Sequence, residues 1–131
     1  MPADIAIEPH WLDSWDAMAI HDRQIAEHGG ISGVRDSNLL DSALSRPVNQ
    51  WNYGNTDPAA LAAAYAYGIA RNHPFADGNK RTAWVTARLF LALNGYKLSF
   101  DKSDATKTVI ALAAGELSED ELTAWFRDHL A

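Results

Sequence analysis

Eleven consecutive residues, Arg71-Asn72-His73-Pro74-Phe75-Ala76-Asp77-Gly78-Asn79-Lys80-Arg81, bring a histidine, a carboxylate, an amide and three cations into one short stretch. The His73 imidazole is the side chain here suited to take a proton from an attacking hydroxyl near neutral pH. Lys80 and Arg81 supply positive charge, and Asn79 adds a hydrogen-bond donor. Gly78 lets an anion approach the backbone closely. Asp77 would repel a bare phosphate, so a carboxylate there makes better sense as a ligand for Mg²⁺ bridging phosphate oxygens. Phe75 is the natural buried anchor of the stretch.

Each residue also has a plainer use. A histidine at a helix C-terminus is commonly a cap, and an aspartate before glycine commonly forms a turn. Cations in the first turn of a helix are usually solvated, yet they sit unfavourably against the positive end of the helix dipole. Gathered in one loop, they point to a bound anion.

The flanking sequence must position this loop. Asp57-Pro58 is a helix start, with an aspartate N-cap and proline at the first helical position. The run from Ala59 to Ala70 is almost entirely apolar and small, as in a buried helix, and Pro74 ends it near Asn72-His73. A second buried helix is predicted from about Asn79 to Asn94, terminated by Gly95. The first amides of that helix are unpaired and form an anion site at its positive end. The active loop therefore lies between two central helices.

Elsewhere the signals are also helical. A helix is expected to start at Glu8-Pro9, carry an apolar stripe of Trp11, Trp15, Met18, Ala19 and Ile25, and end at Gly29-Gly30. Gly29 to Val34 reads as a loop or short hairpin with positive-φ positions. Asp36 caps a short helix expected to stop before Pro47, and Gln50 to Thr56 reads as a turn-rich connection. Two smaller helices follow, from Ser103 to Ala114 and after the Ser118-Glu119-Asp120-Glu121 capping box, with Leu122, Trp125, Phe126 and Leu130 on one face of the latter. Lys97 to Phe100 is a short extended piece with no strands to join. The expected fold is an all-α bundle, one domain over residues 1–131, without repeats or linkers.

Composition narrows the function. The chain has no cysteine, which removes disulfides, thiolate chemistry and cysteine metal sites. Met1-Pro2-Ala3-Asp4 lacks the basic and apolar regions of a signal peptide, and no apolar run approaches a membrane span. A cytoplasmic location is expected. Net charge is −6, which argues against direct nucleic-acid binding. Between residues 71 and 88, however, Arg71, Lys80, Arg81 and Arg88 face Asp77 alone. A cationic site on an acidic protein suits a small polyanion such as a nucleotide. His10, His21, His28 and His129 have no metal-ligand spacing and are expected in surface or structural roles. No phosphate-binding Gly-x-x-x-x-Gly-Lys-Ser/Thr loop, zinc His-Glu-x-x-His pair or Gly-x-Ser-x-Gly elbow is present.

The nine residues from His73 to Arg81 resemble the Fic/Doc family motif His-x-Phe-x-Asp/Glu-Gly/Ala-Asn-x-Arg, and most closely its Doc (death-on-curing) branch, the toxins of Phd–Doc toxin–antitoxin pairs. The resemblance runs from about Ile20 to Arg127 and includes Gly29 to Asp36 and Leu39-Leu40. It implies nucleotide-dependent modification of a protein hydroxyl: His73 as the base, Asp77 as the Mg²⁺ ligand, and Gly78, Asn79, Lys80 and Arg81 around the phosphates of ATP. Arg71 matches a functional Doc position. The family's flap precedes the motif, and Gly29 to Val34 is the candidate for a segment near the target.

Departures from the AMP-transferring pattern sharpen this. Lys80 stands where that pattern has glycine, and Trp84 stands where it has a second arginine. The resemblance to Doc implies transfer of the γ-phosphoryl of ATP to elongation factor Tu, halting translation. Gly78 instead matches the AMP-transferring members, which keeps AMP transfer as the alternative. An inactive binding module is a third reading, which the intact His73, Asp77, Asn79 and Arg81 oppose. No glutamate precedes glycine or asparagine, so the inhibitory motif of self-restrained members is missing. Restraint is expected from a Phd-like antitoxin, through an amphipathic helix laid in an apolar groove.

Overall fold

The computed structural model describes residues 7–131; the Met1-Pro2-Ala3-Asp4 segment lies outside them. Six helices follow one another: α1 (Ser14–His28), α2 (Ser37–Asn52), α3 (Pro58–Asn72), α4 (Asn79–Leu93), α5 (Lys102–Ala113) and α6 (Glu119–His129). There is no sheet among the described residues, only isolated antiparallel bridges from Val34 to Phe75 and from Leu98 to Leu130. The all-α bundle expected from the sequence is the fold observed.

Helix α3 is the rod on which the bundle is built. It packs against α2, α4, α5 and α6, and Ala59, Leu61 to Ala66 and Ile69 are almost wholly buried along it. Small side chains on every face let neighbouring backbones come close. Gly68 takes this furthest: a Cβ there would lie 3.2 Å from the Cα and carbonyl oxygen of Ala43.

That contact explains the largest correction to the sequence reading. Helix α2 does not stop before Pro47 but continues through it to Asn52, so Gln50, Trp51 and Asn52 of the expected Gln50–Thr56 connection are helical. A proline inside a helix costs roughly 3 kcal/mol, because it removes one hydrogen bond and crowds the preceding turn. The carbonyl that loses its donor belongs to Ala43, and it lies against Gly68. The turn weakened by Pro47 is the turn that α3 approaches most closely, and burial of Leu40, Ala43, Leu44 and Pro47 offsets the local penalty.

The second correction concerns α1. It starts at Ser14, not at Glu8-Pro9, because Asp13 and Asp16 form a reciprocal capping box there. Residues 10–12 instead cross the bundle as a strap. Asn94 exchanges two hydrogen bonds with the His10 backbone, Trp11 stacks on Phe90 with ring centroids 5.9 Å apart, and Leu12 N–H donates to Tyr65 Oη at 2.9 Å. The buried face of α1 is Ala17, Ile20 and His21, while Trp15 is 75% exposed. Helix α4 buries one face only: Thr82, Ala83, Thr86, Ala87, Phe90 and Leu91. Leu89 and Leu93 stand out in solvent.

Two expected results follow from buried polar groups. The hydroxyls of Thr82 and Thr86 are buried without a hydrogen-bond partner among the described residues. Thr86→Val should therefore stabilise the protein by about 1 kcal/mol, read as a rise of a few degrees in Tm. Burial also pushes the Tyr65 hydroxyl up to about 12. The folded state then holds this proton more tightly than the unfolded state, whose phenol titrates near ~10. Its stabilising contribution is complete below pH 10 and is lost as pH climbs from 10 to about 12. Urea midpoints measured at pH 9 and pH 11 should fall further for the wild type than for Tyr65→Phe.

Candidate active site

The loop from His73 to Gly78 is short, yet almost every backbone group in it is held. Helix α3 ends at His73, which takes the left-handed conformation (φ 49°, ψ 55°) and donates its N–H to the Ile69 carbonyl. His73 is the one positive-φ residue other than glycine among the described residues. That conformation costs on the order of 1 kcal/mol without a compensating contact. Arg35 supplies the contact: its guanidinium donates to the carbonyl oxygens of His73 and Asn72. It thereby satisfies carbonyls that a helix C-terminus leaves free and sets a positive charge against the negative end of the dipole.

Pro74 and Phe75 are pinned next. The Pro74 carbonyl accepts from the N–H groups of Arg35 and Asp36, at 2.7 and 3.1 Å, and Ala76 N–H donates to the Gly33 carbonyl. Residues 33–36 thus run beside 74–76 as a backbone clamp, with Val34 opposite Phe75. The Phe75 ring is buried and stacks on His21, the two centroids 4.0 Å apart and the planes within 5°. His21, only 1% exposed, also bonds the Asp77 carbonyl through Nε2 at 2.7 Å. A carbonyl oxygen only accepts, so Nε2 carries the proton.

Asn79 closes the loop from inside. Its Oδ1 accepts from the Phe75 N–H at 2.9 Å and its Nδ2 donates to the Phe75 carbonyl at 3.0 Å. The side chain read from the sequence as a phosphate donor is thus engaged in shaping the loop, with one amide hydrogen still to offer. Asp77 receives the Gly78 N–H on Oδ1 at 2.9 Å and the Ile31 N–H on Oδ2 at 3.3 Å. Gly30 makes room for it, since a Cβ there would sit 2.8 Å from Asp77 Oδ2.

Gly78 opens α4 in a left-handed conformation, and no side chain caps that helix. The other five helices each have an aspartate or serine N-cap. The first turn of α4 carries Lys80 and Arg81, both exposed and without an ion-pair partner among the described residues. An uncapped N-terminus with two free cations is a strong anion cradle. No cluster of three or more histidine or acidic side chains with metal-binding geometry occurs among the described residues. A lone carboxylate fits Mg²⁺ well, because that ion keeps several waters and binds through one or two carboxylates together with substrate phosphates.

Of the residues singled out from sequence, His73, Asp77, Gly78, Asn79, Lys80 and Arg81 share this loop and the helix start. Arg71 is turned elsewhere: its Nη1 donates to the Tyr67 hydroxyl at 2.9 Å, its guanidinium lies over the Tyr67 ring, and none of its hydrogen bonds reaches the loop. Trp84 stands one turn beyond Arg81 and packs on Phe126, Trp125 and Phe100. Arg35 had no role in the sequence reading; His21, expected in a surface or structural role, takes the structural one, buried against Phe75. Arg35 lies 38 residues before His73, without a spacing signal.

Residues 11–91 match the Fic/DOC family. The chain is 35% identical over 104 residues to the protein kinase doc of Escherichia phage P1, covering 79% of this chain and 82% of that protein. It is 41% identical over 101 residues to the toxin Doc of Mycolicibacterium smegmatis, covering 73% of this chain and 77% of that protein.

Proposed function

Because this chain belongs to the Fic/DOC family, we propose that it is a Doc-like toxin that uses Mg²⁺-ATP to phosphorylate a hydroxyl of a translation factor, elongation factor Tu. The observation that carries this reading is the coexistence, on one pinned loop, of an exposed imidazole, a single carboxylate and an uncapped cationic helix start. The phage relative described as a protein kinase supports it.

In this reading the acceptor hydroxyl sits against His73, which takes its proton. The hydroxyl oxygen forms a bond to the γ-phosphorus as the bond from that phosphorus to the β,γ-bridging oxygen breaks, and ADP leaves. The free amides at the start of α4, with Lys80 and Arg81, hold the phosphate oxygens and stabilise the charge spread over them. Gly78 lets the phosphate approach, and Asn79 keeps the loop in register. Asp77 would hold Mg²⁺, whose charge would offset the negative charge of the nucleotide's phosphates. Arg71 enters the site once it leaves Tyr67. Catalysis is then chiefly positioning and electrostatics, which suits a loop held as firmly as this one.

AMP transfer is the second reading, favoured by Gly78. There the hydroxyl attacks the α-phosphorus and pyrophosphate leaves. A binding module without catalysis is the third. ATP labelled at the α or γ position, incubated with Mg²⁺, elongation factor Tu and the protein, separates them. Movement of the γ label is expected; movement of the α label would replace the kinase by a nucleotidyltransferase, and no transfer to any candidate target would favour the binding module.

The partner in this scheme is a Phd-like antitoxin whose C-terminal helix covers an apolar groove. Exposed Leu89 and Leu93 on α4, with Tyr96 just beyond its end, support such a surface. No helix among the described residues is long and apolar enough to cross a membrane, in keeping with the cytoplasmic location such a target requires.

A further inference from the structure

We propose that His21 is a positioning residue that locks the orientation of the Asp77–Gly78 peptide and thereby sets how the loop meets metal and phosphate, an effect that rests on the nucleotide-dependent reading above. In a trans peptide the carbonyl and the N–H point in opposite directions. The Asp77 carbonyl is drawn toward α1, where His21 Nε2–H donates to it at 2.7 Å. The Gly78 N–H is thereby turned the other way, and it donates to Asp77 Oδ1 at 2.9 Å. One hydrogen bond from α1 thus decides which side of this peptide stands beside the carboxylate.

The local chain does not hold that choice by itself. Gly78 sits at φ 70°, and turning the peptide over carries it to a negative φ at little cost, since glycine populates both signs. Among the described residues, no other hydrogen bond from outside the loop reaches this carbonyl or this N–H. After such a flip Asp77 Oδ1 would lose its donor and face a carbonyl oxygen, whose partial negative charge opposes an approaching phosphate. The imidazole is aimed by its surroundings. Its ring lies flat on Phe75, with centroids 4.0 Å apart, and is 1% exposed. A Cβ added at Gly78 would lie 3.9 Å from its Cδ2 and Nε2, and 3.4 Å from Cδ1 of Ile25, one turn further along α1. Phenylalanine would serve the stack equally well. Only a side chain with a donor at the Nε2 position also fixes the peptide.

Two substitutions in the full chain separate the donor from the packing. His21→Phe keeps a flat ring against Phe75 and removes the donor, whereas His21→Gln keeps an N–H near the Nε2 position and gives up the stack. His21→Leu, closer to histidine in volume, is a second donor-free variant and should behave as His21→Phe. Amide NMR should show the Gly78 signal shifted or doubled in the donor-free variants, and single and near its wild-type position in His21→Gln. Titration with inorganic tripolyphosphate in the presence of Mg²⁺, well below every melting temperature, should give affinity about tenfold weaker without the donor and within about threefold of wild type for His21→Gln. A wild-type Gly78 signal in a folded donor-free variant, tripolyphosphate affinity retained there, or affinity lost equally in His21→Gln would overturn the lock and leave His21 a core residue. Absence of tripolyphosphate binding by the wild type would overturn the nucleotide reading and the functional half of the proposal with it, while the Gly78 signal decides the structural half independently.

Discussion

His73→Asn should abolish measurable transfer while leaving the fold in place. General-base catalysis is typically worth about 10²–10⁴ in rate, and asparagine cannot accept the proton from the acceptor hydroxyl at neutral pH. The choice of asparagine follows from the backbone. His73 sits at φ 49°, a region where alanine is strained and asparagine is among the best tolerated residues. His73→Ala would mix loss of the base with strain at the end of α3. His73→Asn isolates the first effect, so its melting temperature should match the wild type within a degree or two. Substantial transfer by a correctly folded His73→Asn protein would remove the imidazole from the mechanism.

Phe75→Ala is expected to have the largest effect on stability, and to take activity with it. The ring is 1% exposed and lies flat on His21. Truncating a buried phenylalanine costs about 3–5 kcal/mol through lost burial and the cavity left behind. For a domain whose whole stability is on the order of 5–15 kcal/mol, that is a large share, and the urea midpoint should drop accordingly. Phe75 is also the residue through which Asn79, Val34 and His21 all hold the loop. Transfer by the fraction that remains folded should fall more than hundredfold, since a misplacement of about 1 Å at a reacting centre costs that much. Phe75→Leu restores most of the buried volume and should regain much of the stability but less of the activity. If both variants lost stability and activity in proportion, the ring would be a core residue with no special part in the site.

The sequence was most informative where one local signal had no competitor. Asp57-Pro58 marks the start of α3 and Ser118 to Glu121 the start of α6, as observed. Pro74 and Gly78 bracket the loop. The reading failed where two local signals competed or where distance along the chain mattered. Pro9 offered a helix start and lost to the Asp13–Asp16 capping box, which satisfies backbone donors that a proline only avoids. Pro47 read as a stop, but its effect was outweighed by burial against α3, and burial carries no local mark. The same limit applies to the site. Its chemistry-bearing residues lie within nine consecutive positions and were legible as a cluster. The residues that fix their geometry, Arg35 from before α2 and His21 from α1, reach the loop only through the folded topology.

The uncapped beginning of α4 has a consequence for the free protein's energy landscape. Leaving a helix start without its side-chain cap forfeits about 0.5–2 kcal/mol, and two cations beside those amides add repulsion. Sequences that fold reliably tend to remove such conflicts between local preference and global structure, except where function holds them in place. Five helix starts here are relaxed, and the sixth keeps a localised frustration that only an anion arriving from solution can relieve.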